Sequence, residues 1–358
     1  MAGSDRCNRV VKTMYSDREN EFDGGHLDGE PHAPDTEERE DVDDGFSAGW
    51  GFHMQPSVRY WIDCHTHVRE TRNLDALKAV ARWHDIMWAY RLRRSAGVDG
   101  FPDRHHAFAK LAGNDDRFVW YCRLPWDEPN IAHVRECREL GAIGLKLHNA
   151  PLIDGSIERN VVHSDAWQEI FALAGSLNMP IIWHVSQRKN ASKYTGGKEH
   201  SYWSEAFKKG LTFTNEDLLQ DFLSVVDSHP NTTFIGAHQL HLGPDRLGEL
   251  FHSHPNLVTD TSIGCFVAYG DRMYDKDRLR WRRFALEFAD RLLFGTDVMI
   301  DRKTARSEML KQHFLGHLRW VRQLQLPQEA LSKIAHGNFE RIAGLDPVPM
   351  LPWWSLRP

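Results

Sequence analysis

From residue 58 onward the chain alternates short apolar runs with longer amphipathic stretches. The runs cover 60–64, 118–124, 142–147, 181–185, 233–237, 257–261 and 292–296. A strand covered on both faces reads as a nearly continuous apolar run, the signature of parallel sheets. Between the runs lie 131–140, 164–177, 216–229 and 280–289, whose apolar residues recur at helical spacing. Strand–helix alternation of this kind builds βα units around a parallel sheet. Seven strands are plain, and an eighth is expected near 83–90, where the pattern is ambiguous. Eight units predict an α/β protein with a closed (β/α)8 TIM barrel. An open doubly wound sheet is the weaker alternative, because no G-x-G-x-x-G follows any run. Residues 328–345 place Leu331, Ile334, Ala335, Phe339 and Ile342 at helical spacing and are expected to form the last helix.

Composition changes the picture at the N-terminus. Residues 1–48 are rich in Asp, Glu, Gly and Pro, poor in large aliphatics, and strongly acidic. Such a segment buries too little apolar surface to offset its ordering entropy. It is read as a polar, acidic, flexible arm, with Phe46, Trp50 and Phe52 as its only anchors, ahead of a barrel domain over 49–358. The chain has 358 residues, 41% of them hydrophobic, enough for one large core. A formal net charge of -6 gives no basic surplus, which argues against a nucleic-acid partner. No apolar run approaches the roughly 20 residues needed to span a bilayer, so no membrane partner is expected. The polar start points to a cytoplasmic protein. The five cysteines are scattered singly with no C-x-x-C pair, so neither a disulfide framework nor a cysteine metal site is expected.

Candidate chemistry lies at the ends of the runs. The first leads into Asp63-Cys64-His65-Thr66-His67, and regular alternation puts Asp63, His65 and His67 on one side with Ile62, Cys64 and Thr66 on the other. Two imidazoles one strand repeat apart can hold a divalent metal. His184 closes the run at 181, His238 the run at 233, and Asp297 the run at 292. In a barrel these strand ends converge where eight loops meet. Three imidazoles and one carboxylate complete a mononuclear site with room for water, leaving one histidine to act on substrate. A single histidine at a strand end is usually only a hydrogen-bonded loop residue; one polar terminus after another points to a site.

This ordered set resembles the amidohydrolase superfamily, and within it the amidohydrolase-related group that contains aminocarboxymuconate semialdehyde decarboxylase, aromatic-acid decarboxylases and lactonases. The resemblance extends over about 58–345. It includes Gly141-Ala142-Ile143-Gly144-Leu145-Lys146-Leu147, Asp260-Thr261-Ser262, Gly295-Thr296-Asp297 and Asn338-Phe339-Glu340-Arg341-Ile342. It implies His65, His67, His184 and Asp297 as metal ligands, with His238 and Asp297 catalytic. One divalent ion is implied, zinc foremost, with manganese, iron or cobalt as the other candidates. A carbamylated lysine on the fourth strand bridges two metals in some members, which makes a binuclear site at Lys146 the lesser alternative. Two departures weigh against transferring decarboxylase activity. Val298-Met299-Ile300 replaces the usual Tyr-Pro-Phe, and Gln239-Leu240-His241-Leu242-Gly243 replaces a Gly-rich stretch, which makes His241 a rival of His238.

Arg69, Lys146, His148 and His241 are the expected substrate contacts. Arg69 can hold a carboxylate in a bidentate fork, although a surface ion pair is the plainer reading. Residues 187–203 are a polar, Gly-containing insertion suited to a lid. Cys64 is read as core, and 351–354 as an apolar strap or a subunit contact compatible with a homodimer. A divalent ion lowers the pKa of its water from about 15.7 to about 7. The expected activity is therefore hydrolysis of an amide, ester or lactone in a small molecule. The alternatives are non-oxidative decarboxylation of a small unsaturated or aromatic acid, and a catalytically silent ligand-binding barrel.

Overall fold

The computed structural model describes residues 58–68, 92–100, 105–114, 118–186, 213–262, 275–300, 317–318 and 320–347. The acidic arm, Arg69, the insertion at 187–203 and the strap at 351–354 lie outside these residues.

Among the described residues, nine strands form one parallel sheet. They are β1 (Trp61–Val68), β2 (Leu92–Gly100), β3 (Phe118–Arg123), β4 (Gly144–His148), β5 (Ile181–His184), β6 (Phe234–Gly236), β7 (Leu257–Asp260), β8 (Leu292–Leu293) and β9 (Val298–Ile300). Their order is β8-β7-β6-β5-β4-β3-β2-β1-β9. β8 and β9 stand at opposite edges, yet only Phe294–Asp297 separate them in the chain. That link is itself bonded to β1. Cys64 N donates to Phe294 O at 2.9 Å, and Asp297 N donates to His65 O at 2.8 Å.

Described helices follow most strands. They are α1 (His105–Asn114), α2 (Ile131–Glu139), α3 (Asp165–Ser176), α4 (Asn215–Ser228), α5 (Pro244–Ser253) and α6 (Asp275–Glu287). After 325 come α7 (Gln328–Ser332), a π segment (Lys333–Gly337) and α8 (Asn338–Ala343). Local chemistry sets their starts. Asn130 caps α2 by accepting from His133 N, and Thr214 and Asp217 form a reciprocal capping box on α4.

The apolar residues fall into two clusters, one on each face of the sheet. The outer cluster joins Trp120, Cys122, Leu145, Leu147, Ile181, Trp183, Phe234 and Leu257 to the helices. The inner one holds Ile62, Cys64, Tyr121, Ile143, Ile182, Ile235, Val258 and Leu293, together with Phe339 and Ala343 of α8. A sheet whose strands each send alternate residues into a shared interior must curl. At the far end of that interior, Tyr60 Oη donates to Glu340 Oε1 at 2.5 Å.

Two expectations are corrected. The strand between β1 and β3 is Leu92–Gly100, beyond the expected 83–90, which lies outside the described residues. Its Leu-Arg-Arg-Ser-Ala-Gly-Val-Asp-Gly sequence is not an apolar run, so apolar content could not reveal it. Regular alternation along β1 also fails. The register with β2 shifts between Trp61 and Ile62 and again between Asp63 and Thr66. A bulge redirects the side chains around it. Asp63 therefore points its carboxylate at Thr296, while His65 and His67 face Asp297.

Candidate metal centre

The first element of the site is β1. Asp63 accepts from His65 N and Thr296 N, each at 3.1 Å, and from Thr296 Oγ1 at 2.6 Å. These bonds tie the bulge to the turn that presents Asp297, whose φ of 57° lies in the left-handed region. Asp adopts that region more readily than most residues. Gly295 fits closely here: a Cβ on it would come within 3.1 Å of Asp260 Cβ and Cys64 Sγ, and within 3.2 Å of His65 Cβ. Burial pushes the Asp63 carboxyl up to about 7, despite the bonds from Thr296 and His65 that pull it down.

The second element follows β6. His238, Gln239, Leu240 and His241 all have φ between 53° and 60°, a left-handed turn of four consecutive residues. Such a conformation costs roughly 1–2 kcal/mol per residue and persists only when its surroundings enforce it. Here they do. His238 N donates to Asp260 Oδ1 at 2.9 Å, and Gln239 Nε2 donates to Asp260 O at 2.7 Å and Ser262 O at 3.0 Å. Gly236 leaves room for Leu240, since a Cβ there would lie 2.6 Å from Leu240 Cδ2. The turn stacks the rings of His238 and His241, with centroids 5.2 Å apart and planes 8° from parallel.

Donor atoms of His65, His238 and Asp297 all lie within 4.8 Å of one another. His65 Nε2 is 3.2 Å from Asp297 Oδ1, and His67 Nε2 is 2.7 Å from that same oxygen. His184 enters through its neighbour, with Nδ1 3.0 Å from His238 Nε2. The tight group thus contains His238, whereas the sequence reading set His184 among the ligands and His238 beside them. Lys146, almost fully buried, brings Nζ to 3.2 Å from His65 Nε2. The His148 ring lies 4.1 Å from that of His184, and its Nδ1 accepts from Ala150 N at 2.9 Å.

Sequence reasoning cited Asp260-Thr261-Ser262 only as a family match and missed its role. Asp260 Oδ2 is 2.7 Å from His65 Nδ1, and Asp260 Oδ1 accepts from Ser262 Oγ at 2.7 Å. Ser262 Oγ lies 2.9 Å from His238 Nδ1. The serine proton is committed to Asp260, so the hydroxyl accepts from His238. This assigns the proton to Nδ1 of His238 and leaves its Nε2 lone pair to accept from His184 Nδ1. By the same logic, Asp260 holds the proton of His65 on Nδ1 and frees His65 Nε2. A carboxylate behind a ligating histidine is the usual way to fix its tautomer.

The electrostatics suit a cation. Burial would raise the Asp297 carboxyl, but His65, His238 and His67 hold it well below the usual carboxylate range. Burial lowers His238 to about 4 and also lowers His65 and His184, so all three are neutral imidazoles at pH 7. Nε2 of His184 is buried without a hydrogen-bond partner among the described residues. Neutral nitrogens, an ionised carboxylate and an orphaned lone pair fit a divalent ion.

A model of the amidohydrolase family matches residues 62–345. The chain belongs to the amidohydrolase family. No curated protein matches it. Among solved structures, this amidohydrolase is similar to a probable 2-pyrone-4,6-dicarboxylic acid hydrolase from Acinetobacter baumannii with citric acid bound. Identity is 12%, the TM-score is 0.53, and 80% of this chain and 99% of that one are covered. It is also similar to a zinc-bound amidohydrolase from Burkholderia multivorans at 18% identity and TM-score 0.52, covering 80% and 100% of the two chains. A third similar structure is 5-carboxyvanillate decarboxylase from Sphingomonas paucimobilis, at 12% identity and TM-score 0.51, covering 80% and 99%. At these identities the likeness speaks for the fold alone. No described helix of this amidohydrolase is long and apolar enough to cross a membrane.

A second convergence was not expected. His105, Cys122, His133 and Cys137 also place their donor atoms within 4.8 Å of one another. The structure brings Cys122 and Cys137 together, although they stand singly in the sequence. His133 and Cys137 are i and i+4 on one helix face, a legible spacing; the approach of Cys122 and His105 depends on the fold.

Proposed function

We propose that this amidohydrolase is a metal-dependent hydrolase that cleaves an amide, ester or lactone bond in a small molecule at the C-terminal end of a (β/α)8 barrel. The eight-unit reading is supported by β8 and β9, two pieces of a single strand path that pair with β7 and β1. The observation that carries the function is the group of His65, His238 and Asp297, with His67 and His184 in contact with it. We assign His65, His67, His184 and Asp297 as the residues that hold the ion, zinc foremost. When bound, the ion supplies a Lewis acid that polarises the carbonyl and makes water nucleophilic near neutral pH.

The protein's own groups move the protons. Asp297 stays ionised and accepts the proton of the attacking water. His238, neutral in the resting site, takes that proton over from Asp297 and delivers it to the leaving group, which returns Asp297 to its ionised form. Ser262 and Asp260 stabilise the imidazolium while it exists. Positioned acid–base groups of this kind contribute about 10²–10⁴-fold in rate. Lys146, His148 and His241 line the space around these residues and orient the substrate; Arg69 is kept as a candidate carboxylate contact.

The test is a panel of small lactones, esters and amides assayed with zinc-, manganese- or cobalt-loaded protein. Hydrolysis yields a new carboxylic acid without CO2. Release of CO2 from an unsaturated or aromatic acid would replace this reading with decarboxylation. Absence of bound metal and of turnover would replace it with a silent binding barrel.

A further inference from the structure

The convergence of His105, Cys122, His133 and Cys137 lies on the outer face of the sheet. Cys122 belongs with Trp120 to the cluster packed against the helices, while Tyr121 between them faces the interior. His105 opens α1, Cys122 is on β3, and His133 and Cys137 sit one turn apart on α2. Nδ1 of His105 is 2.6 Å from His133 Nε2 and 3.0 Å from Cys137 Sγ. Cys137 Sγ is 2.6 Å from Cys122 Sγ and 3.6 Å from His133 Nε2. We propose that these four side chains form a second, closed zinc site that fastens α1 and α2 to β3.

The donor set chooses the metal. Two sulfurs and two imidazole nitrogens, with no carboxylate oxygen among them, suit zinc and suit neither calcium nor magnesium. The His-x-x-x-Cys spacing on α2 directs both side chains to one side of the helix. A tetrahedral ion with bonds of about 2.3 Å to sulfur and 2.0–2.1 Å to nitrogen sets its donors roughly 3.3–3.8 Å apart. Moving the closest pairs apart by about an ångström produces that arrangement, within the reach of small side-chain rotations.

The surroundings orient the ligands. Glu136 Oε2 lies 3.4 Å from His133 Nδ1, which reserves Nε2 for the ion. His105 Nε2 takes a 3.4 Å contact from Arg123 N; coordination through Nδ1 protonates Nε2, and this long contact is given up. The protein fills all four positions, and His105, Cys122 and Cys137 are buried. No position stays open for water or substrate, so the site is structural. Its bond energy adds to folding, because the unfolded chain has no preformed site.

The decisive experiment strips metal from the full chain and titrates it with cobalt(II). A thiolate site gives near-ultraviolet sulfur-to-cobalt charge transfer together with tetrahedral d–d bands. The candidate catalytic centre has only nitrogen and oxygen donors, so this signal is independent of whether the hydrolase reading holds. We expect the charge-transfer band in the wild type and in His67→Ala, and its loss in Cys122→Ser/Cys137→Ser along with one zinc equivalent per chain. If the double variant does not fold, the wild-type spectrum decides alone. A wild type without the band overturns the proposal, as does a band that survives the double substitution. Mass spectrometry that finds a Cys122–Cys137 disulfide in protein purified under reducing conditions overturns it too.

Discussion

Asp260 Oδ2 stands 2.7 Å from His65 Nδ1, with both side chains fully buried. Burial would raise the carboxyl, but its hydrogen bonds with His65 and Ser262 hold it well below the usual range. Asp260 is thus a fixed anion behind a ligand. Replacing it with Asn removes that charge and frees the tautomer of His65. Asp260→Asn is expected to weaken metal binding about 10–100-fold, as loss of such partners does elsewhere. Equilibrium dialysis against a zinc buffer measures this. Wild-type affinity in the variant would end the argument that Asp260 orients His65.

The roles of His184 and His238 separate by substitution. If His238 moves protons and holds no metal, His238→Ala keeps the metal and loses about 10²–10³ in turnover. His184→Ala then loses metal. The tight group contains His238, so the opposite outcome is concrete: metal lost with His238→Ala and kept with His184→Ala would exchange the two assignments. His241→Ala is the control. Should it abolish activity while His238→Ala remains near wild type, the proton role passes to His241. Elemental analysis and kcat on the same preparations decide.

Gly236 makes the left-handed turn feasible. In Gly236→Ala the new methyl meets Leu240 Cδ2, and the turn that places His238 must shift. Overpacking of a buried contact typically costs about 1–3 kcal/mol. The expected result is a lower Tm and a larger proportional loss of kcat than of stability, because displacing a catalytic group by about 1 Å can cost 10²-fold. A variant with normal kcat would mean that the turn tolerates the shift without moving His238.

What could be read from the sequence, and what could not, divides along physical lines. His65, His67, His184 and Asp297 could be nominated as ligands because each polar side chain interrupts or ends an apolar run. β2 was hidden because Arg94, Gly97 and Gly100 break the apolar pattern. The left-handed turn at His238–His241 was hidden because it depends on Gly236, Leu240 and the Asp260 carboxylate meeting in space. Asp260 itself looked like part of a motif; only its contact with His65 revealed its work. The Cys122–Cys137 approach was missed because lone cysteines carry no spacing signal until a strand and a helix bring them together.

The last prediction concerns the metal-free protein and pH. His238 is lowered to about 4 by burial, and His65 and His184 are lowered in the same direction. As pH falls through 6.5, the unfolded chain takes up protons at these three positions and the folded chain does not. Stability therefore falls with pH across the window from about 6.5 to 4. Asp63 opposes this. Burial raises it to about 7, so the folded chain holds a proton that the unfolded chain releases until pH nears its ordinary 3.8. Three histidines against one carboxyl leave a net loss, with about 1.4 kcal/mol per pH unit for each net proton as the limiting slope. Below pH 4, Asp260 and Asp297 add to the loss, because both are held low in the folded state. Calorimetry on chelator-treated protein should show Tm falling steadily from pH 7 to 4.5. Added zinc should raise Tm most at pH 7, where no proton competes for the imidazoles. A flat or rising Tm on acidification would mean that these histidines are accessible to protons in the folded state, and the buried neutral cluster would have to be given up.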